Sequence, residues 1–126
     1  MYQFEKLEIW QKSVDLIKIT YKITDKFPTQ EKFSLSSQIQ RAIVSVALNI
    51  AEGKGGQSDK EFSKFLYFSL RSLHETVAAL KIAIELNYLK EEEASIFFDK
   101  SEHLGAQIKS FINRLKANVE KREAKS

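Results

Sequence analysis

The polar residues of the segment 35–53, LSSQIQRAIVSVALNIAEG, form the one constellation in this chain that invites a functional interpretation. They recur every three or four residues, which places them along one side of a helix, and they are Gln38, Arg41, Ser45, Asn49 and Glu52. Such groups can form a hydrogen-bonded stripe that fixes helix register or the docking of a subunit, or they can bind a ligand. We favour the stripe, because buried polar groups are usually satisfied by hydrogen bonds.

The usual catalytic and metal-binding patterns are missing from the sequence. The residues three positions before the two histidines, His74 and His103, are Arg71 and Lys100, so the chain lacks the Glu-x-x-His pairs of a di-iron bundle. There is no cysteine to bind zinc or act as a nucleophile, and neither histidine has an evident serine partner for triad chemistry. We therefore expect no enzymatic activity, no cofactor and no metal.

Four amphipathic segments must position the polar stripe. The predicted helices span residues 7–26, 35–53, 58–86 and 91–119, and a basic tail, 119–126, is expected to fray because it has little to bury. Their ends are marked by Phe27-Pro28, by Gly53, by a Ser58–Glu61 capping box and by Asn87 as a left-handed terminator. The fold class is therefore all-α: residues 1–126 form one antiparallel up-down-up-down four-helix bundle.

The second predicted helix is apolar on two sides. Ile39, Ile43, Val46 and Ile50 form one stripe, whereas Val44, Leu48 and Ala51 form another. A bundle seam needs only one such stripe, so we expect the second to meet other subunits of a homo-oligomer. The first helix is expected to use a seam of Leu7, Trp10, Val14, Ile17, Tyr21 and Thr24, with Ile9, Leu16, Ile23 and Phe27 beside it.

The turn predicted at residues 54–57 sets the register of the second and third helices. It places Asn49 near Phe62 and Ser45 near Leu66. Small residues on the third helix should let the second approach closely, and in the fourth helix tight packing is expected at Gly105.

The net charge of +3 is small, but residues 106–126 hold six Lys or Arg against two Asp or Glu. A solvated helix end is the interpretation we favour for this segment. The alternative is a basic patch for RNA or DNA, formed by Lys109, Arg114, Lys116, Lys121 and Arg122. No segment is apolar enough to span a membrane, and the expected location is the cytoplasm.

Several blocks of the sequence resemble the signature of the four-helix-bundle family of 23S ribosomal RNA intervening-sequence proteins. They are Trp10-Gln11-Lys12, Phe27-Pro28, Arg41-Ala42, Asn49-Ile-Ala-Glu-Gly53, Phe65-Leu66, Ser72-Leu73 and Tyr88-Leu89. The chain departs from the family at Gln40, where a basic residue is common, and at Arg71 and Asn87, where glycine is common. Arg71 suggests a changed contact opposite Arg41, with Glu75 or Glu52 as counter-ion.

The resemblance implies a small bacterial cytosolic protein. It also implies relatives among the accessory variability proteins of diversity-generating retroelements, which form homopentameric barrels and associate with a reverse transcriptase and nucleic acid. We therefore interpret the chain as a non-enzymatic homo-oligomeric scaffold, most simply a pentamer, that binds RNA or an RNA-handling protein such as a reverse transcriptase. The alternative is a structural or regulatory oligomer with a protein partner and no nucleic acid.

Overall fold

The computed structural model describes residues 1–125, which form an antiparallel bundle of four α-helices. They are α1 (Glu8–Thr24), α2 (Leu35–Lys54), α3 (Asp59–Glu85) and α4 (Glu91–Lys125), with short 3-10 helices at Gln3–Lys6 and Thr29–Glu31. Each helix packs against its neighbours in sequence, and α4 also packs against α1, so the four surround one core. The predicted all-α four-helix bundle is confirmed. No helix of residues 1–125 is long and apolar enough to cross a membrane.

The core of the bundle receives one buried stripe from each helix. Its largest fully buried side chains include Leu16, Ile39, Ile43, Ile50, Leu66, Leu73, Leu80, Phe97, Leu104 and Ile108. The buried residues of α1 are Ile9, Ser13, Leu16, Thr20, Ile23 and Thr24, so the residues expected beside the seam lie at its centre. Of the expected seam itself only Thr24 is buried, and Tyr21 is exposed. Two hydroxyls lie inside because each donates a hydrogen bond of 2.7 Å to the carbonyl four residues earlier, Ser13 to Ile9 and Thr20 to Leu16.

Local signals account for both ends of α3. Ser58 caps α3 by accepting a hydrogen bond of 3.1 Å from the Glu61 backbone N–H. Asn87 has a φ of 63°, as predicted for a left-handed terminator. The backbone N–H groups of Asn87 and Tyr88 then donate to the last carbonyls of α3, at 3.0 Å each.

The end of α4 differs from the prediction. The helix continues to Lys125 instead of ending near residue 119. Arg122 is paired with Asp59 at the start of α3, with 3.0 Å between Nη2 and Oδ2, so the last turns rest against α3 although they bury little apolar surface. An ion pair between groups this exposed contributes little to stability, so it marks the contact between the two helices rather than causing it.

Gly53 serves helix packing rather than helix termination. It lies inside α2, which ends at Lys54. A Cβ atom at this position would lie 2.8 Å from both Phe62 Cδ1 and Phe65 Cβ, so only glycine lets α3 approach this closely. Gly105 is the opposite case: a Cβ there would lie 3.7 Å from the nearest atom, in Leu73, which is ordinary van der Waals contact. The tight packing expected at Gly105 is therefore not found.

The register of α2 and α3 is offset from the prediction by about one helical turn. Ser69 Oγ donates to the Val46 carbonyl at 2.8 Å, and Ser72 Oγ donates to Ser45 Oγ at 3.0 Å. The prediction had placed Ser45 beside Leu66. The offset arises because the Gly56 N–H still bonds to the Gly53 carbonyl at 3.2 Å, so the chain reverses only after Gly56.

The two connections at the other end of the bundle are tied together. Tyr88, after α3, donates its hydroxyl to Glu31 Oε2 at 3.1 Å and packs its ring against Phe27, with 5.8 Å between centroids. The hydrogen bond to the Glu31 carboxylate raises the pKa of Tyr88. The connection between α1 and α2 is therefore fixed to the connection between α3 and α4.

The two helical glycines predict opposite effects of substitution by alanine. Gly53→Ala should destabilise the protein, because strain of about 1–3 kcal/mol exceeds the roughly 1 kcal/mol gained in helix propensity. Gly105→Ala should stabilise it by about 0.5–1 kcal/mol, since the added methyl group fits. Urea denaturation followed by circular dichroism measures both. Effects of the same sign would contradict the packing described for these two residues.

Candidate functional site

The polar stripe of α2 lies on the side of the helix that the protomer leaves uncovered. Gln38, Arg41 and Glu52 are exposed, whereas Ser45 and Asn49 are half-buried beside α3. Within residues 1–125, neither Arg41 nor Glu52 is part of an ion pair. The stripe is therefore divided between a hydrogen-bonded centre and charged groups that point to solvent.

The hydrogen-bonded centre joins α2 to α3. Asn49 Nδ2 donates to the Ser45 carbonyl at 2.9 Å and to Ser45 Oγ at 3.0 Å. Ser45 Oγ also accepts from Ser72 Oγ at 3.0 Å. Ser72 is one of the small residues of the third helix that were expected only to let α2 approach closely, because its bonding role depends on the helix register. Ser45 and Asn49 are therefore hydrogen-bonded within the protomer, and the role predicted for the stripe in register or subunit docking stays a prediction.

Apolar side chains flank the stripe on the α1 side. Leu48 is 63% exposed at the middle of the helix face, with Val44 half-buried next to it. Tyr21 of α1, which the sequence had placed in the core, is 43% exposed. These three residues line a shallow depression of about 420 Å³ that also contacts Arg41 and Gln40. We call the surface formed by Tyr21, Arg41, Val44, Leu48 and Glu52 the α2 face.

The basic residues of α4 do not form one patch. At 100° per residue, Lys109 and Lys116 share one side of the helix, Arg114 and Lys121 share a second, and Arg122 points to a third. All five are exposed. Arg122 is held by Asp59, and the Arg114 guanidinium carbon lies 4.9 Å from the centroid of the Phe111 ring. The lysines are therefore the basic groups of this segment that have no such partner within residues 1–125.

The described residues contain no group of three or more His, Asp or Glu side chains that could hold a metal ion. His103 lies beside Asp15 and Asp99 in a depression between α1 and α4, but Lys12 and Lys100 line the same depression. Positive ammonium groups next to the carboxylates oppose the binding of a cation.

A protein-family comparison matches residues 5–110 with the model described as 23S rRNA-intervening sequence protein. The chain belongs to this family. It is also similar in structure to a protein of Bacteroides thetaiotaomicron described as of unknown function and from the S23 ribosomal protein family. The two chains share 24% identical residues, the alignment covers 83% of this chain and 95% of the other, and the TM-score is 0.77. This similarity supports the fold. None of the curated proteins compared with the chain matches it.

The positions at which this family member departs from the common pattern have distinct environments. Gln40 donates through Nε2 to Thr24 Oγ1 at 3.0 Å and so links α2 to α1. Arg71 is exposed, and the expected ion pair with Glu75 or Glu52 is not formed among residues 1–125. Of the five basic candidates on α4, only Lys109 lies within the matched span.

Ser45 accepts two side-chain hydrogen bonds, and its replacement tests the hydrogen-bonded centre. Ser45→Ala should cost about 1 kcal/mol of unfolding free energy, because the Asn49 amide and the Ser72 hydroxyl lose a partner at a half-buried position. Gln38→Ala, on the exposed part of the same stripe, is the control and should change stability by less than about 0.5 kcal/mol. Urea denaturation measures both, and equal losses would contradict this role of Ser45.

Proposed function

We propose that this member of the family is a non-enzymatic scaffold that works as a cytoplasmic homo-oligomer, with five copies in a ring. The observation that carries the proposal is Leu48, a large apolar residue left 63% exposed in the middle of a 20-residue helix. Full burial of a leucine side chain is worth about 1.5–3 kcal/mol. Together with Val44 and Tyr21, it makes an apolar area that a neighbouring subunit can cover.

The charges on the α2 face support the same proposal. Arg41 and Glu52 lie at opposite ends of the face and have no ion-pair partner within residues 1–125. Opposite charges that bracket an apolar centre favour one docking arrangement over others, since a displaced partner would meet like charges.

A ring requires two different surfaces on each subunit, because head-to-tail contacts repeat by rotation. Ile82 and Leu86 offer a second apolar surface near the end of α3, with 52% and 50% of each residue exposed. We propose that the α2 face of one subunit contacts a different face of the next. The number five follows from the family resemblance, which implies homopentameric barrels among the relatives.

Leu48→Glu should dissociate the oligomer and keep the helical content, because the protomer core does not include this side chain. Ile96→Glu is a matched control, since Ile96 on α4 is 62% exposed. Light scattering coupled to size-exclusion chromatography measures the mass of the oligomer, and the mass of one protomer is 14.5 kDa. A wild-type mass of one protomer at micromolar concentration, or equal effects of the two variants, would refute the proposal.

We propose RNA as a partner of the oligomer. The support is the basic end of α4, where Lys109 and Lys116 share one exposed side of the helix and Lys121 is exposed on a second. In a ring this segment would be present in every subunit, and weak contacts on one strand add through effective concentration. An RNA-handling protein such as a reverse transcriptase would then bind to the same scaffold.

RNA binding of this kind should be weak, independent of sequence and lost between about 50 and 200 mM salt. The variant Lys109→Glu/Lys116→Glu/Lys121→Glu should abolish it without unfolding the bundle. The control Lys18→Glu/Lys22→Glu/Lys100→Glu changes the net charge equally at exposed lysines elsewhere and should retain most of the binding. Fluorescence anisotropy with a labelled single-stranded RNA measures all three proteins.

If the wild-type oligomer fails to bind the RNA at low salt, the second candidate function applies. It is a structural or regulatory oligomer with a protein partner and no nucleic acid. Two contacts favour it: Arg114 lies over the Phe111 ring, and Arg122 forms an ion pair with Asp59. Fewer cationic side chains are then free to bind phosphate groups.

A further inference from the structure

A row of exposed side chains follows the outer side of α3 along most of its length. The residues recur at intervals of four or seven, which keeps them on one side of the helix, and they are Lys64, Phe68, Glu75, Ile82 and Leu86. Phe68, Ile82 and Leu86 are large apolar residues that the protomer leaves exposed. We call this row the α3 face. Because exposed apolar side chains that line up in this way mark interaction sites, the α3 face is a candidate interface.

The charges of the α3 face are not neutralised within the protomer. Among residues 1–125, neither Lys64 nor Glu75 forms an ion pair. Lys64 Nζ lies 5.9 Å from the centroid of the Phe68 ring, which is a weak contact at an exposed site. Arg71 projects from the same side of α3, nearer to α4, and its long side chain can keep its charge in solvent at the edge of a contact.

The packing of α2 against α3 fixes which of their residues lie level with each other. The Ser72–Ser45 hydrogen bond of 3.0 Å and the Ser69–Val46 hydrogen bond of 2.8 Å set this register. Because the helices are antiparallel, rising numbers on α2 lie level with falling numbers on α3. Three exposed residues of the α2 face are then level with three of the α3 face: Arg41 with Glu75, Leu48 with Phe68 and Glu52 with Lys64.

The two faces have the same spacing and opposite charges. On α2 the apolar residue Leu48 lies seven residues after the cation and four before the anion. On α3 the apolar residue Phe68 lies four residues after the cation and seven before the anion. The two charges of each face are therefore about 16 Å apart, and each has an opposite charge at its own level on the other face.

A closed ring brings these two faces together at this level. In a ring whose axis is parallel to the helices, rotation changes neither the direction of a helix nor its height. The α2 helix of one subunit is then antiparallel to the α3 helix of the next. Since a ring that closes has no rise between subunits, residues that are level within a protomer are also level across the contact.

We propose that the α2 face of one subunit binds the α3 face of the next subunit at this register. The contacts join the three level pairs, Arg41 with Glu75, Leu48 with Phe68 and Glu52 with Lys64. The occupant of the α3 face is thus a second copy of this chain. The inference rests on the proposed oligomeric scaffold, to which it adds the second surface of each subunit and the register of the contact.

The charges also select the orientation of the neighbour. An inverted neighbour would place α3 parallel to α2. Because the charges of both faces are separated by the same number of residues, the cation of each face would then lie against a cation and the anion against an anion. Contacts between like charges disfavour this arrangement.

The same register gives Phe33 a contact. This residue lies two positions before the start of α2 and is 89% exposed, in spite of its large apolar ring. Extended past the start of α2, the register places Phe33 at a height between Ile82 and Leu86 of the next subunit. One contact therefore covers apolar side chains that each protomer alone leaves in water.

A two-fold dimer is the alternative use of the α2 face. Two antiparallel copies of α2 would set Arg41 against Glu52 of the partner, in both directions. That arrangement leaves the α3 face and Phe33 uncovered, so we favour the ring.

Charge reversal tests the contact between Arg41 and Glu75. Arg41→Glu and Glu75→Arg should each raise the protein concentration needed for assembly by about tenfold or more, because each places like charges at every contact. Arg41→Glu/Glu75→Arg should restore assembly. Glu102→Arg, at an exposed residue of α4, is the matched control and should assemble as the wild type does. Light scattering over a dilution series measures the mass of each protein.

Cross-linking tests the register directly, because the chain has no cysteine. Leu48→Cys and Phe68→Cys are purified separately, mixed under reducing conditions so that subunits exchange, and then oxidised with copper-phenanthroline. The mixture should give a covalent dimer that neither variant gives alone. Since the two thiols are on different chains, the cross-link reports a contact between subunits. Ile96→Cys, at an exposed residue of α4, is the control for Phe68→Cys and should give no cross-link.

Three results would overturn the inference. The first is unchanged assembly of Arg41→Glu and Glu75→Arg, and the second is a mixture of the cysteine variants that does not cross-link. The third is cross-linking of Leu48→Cys alone, or assembly restored by Arg41→Glu/Glu52→Arg, which would indicate the two-fold dimer. In each case a wild-type oligomer shows that only the inferred contact fails, whereas a wild-type mass of one protomer refutes the scaffold itself.

Discussion

The close approach of α2 and α3 is the constraint on which the rest of this bundle depends. At Gly53 the two backbones come so near that no side chain fits between them, and farther along the pair the Ser69 hydroxyl reaches the Val46 carbonyl at 2.8 Å. These contacts fix one side of α2 firmly against α3. The buried stripe Ile39, Ile43, Val46 and Ile50 then has to face the common core, which the α4 residues Phe97, Leu104 and Ile108 complete.

The same constraint decides what the protein presents to its surroundings. Because α2 is held on one side, its remaining apolar residues, Val44 and Leu48, cannot turn inward. They lie beside Arg41 and Glu52, whose charges have no ion-pair partner among residues 1–125.

The fold could be predicted because the residues that start and end a helix act locally. Ser58 and Asn87 act within one turn of their own position, and periodicity identified four helices. The faces were harder to predict, because Ser13 and Thr20 are buried with their hydroxyls bonded to their own helix, so a count of apolar residues chose the neighbouring face of α1. The roles of Gly53 and Gly105 depend on the distance to another helix, which composition does not encode.

The candidate site was predicted only in part for a similar reason. Spacing correctly placed Ser45, Asn49 and the charged residues on one side of α2, but the partner Ser72 follows from the α2–α3 register, and a short corner shifts that register by a turn. On α4, charge counting identified the basic residues but did not show which of them contact another side chain of the protein. Arg122 meets Asp59 only because α4 and α3 are brought together by the core between them.

The link between Tyr88 and Glu31 makes the two ends of the bundle unequal. At that end both connections are held to each other, so a fluctuation that releases one must also release the other. At the opposite end the 3-10 helix Gln3–Lys6 packs against α2, but among residues 1–125 no side-chain hydrogen bond joins it to the corner between α2 and α3. Local opening therefore starts at the glycine corner, and amide hydrogens there should exchange with solvent before those around Phe27 and Tyr88.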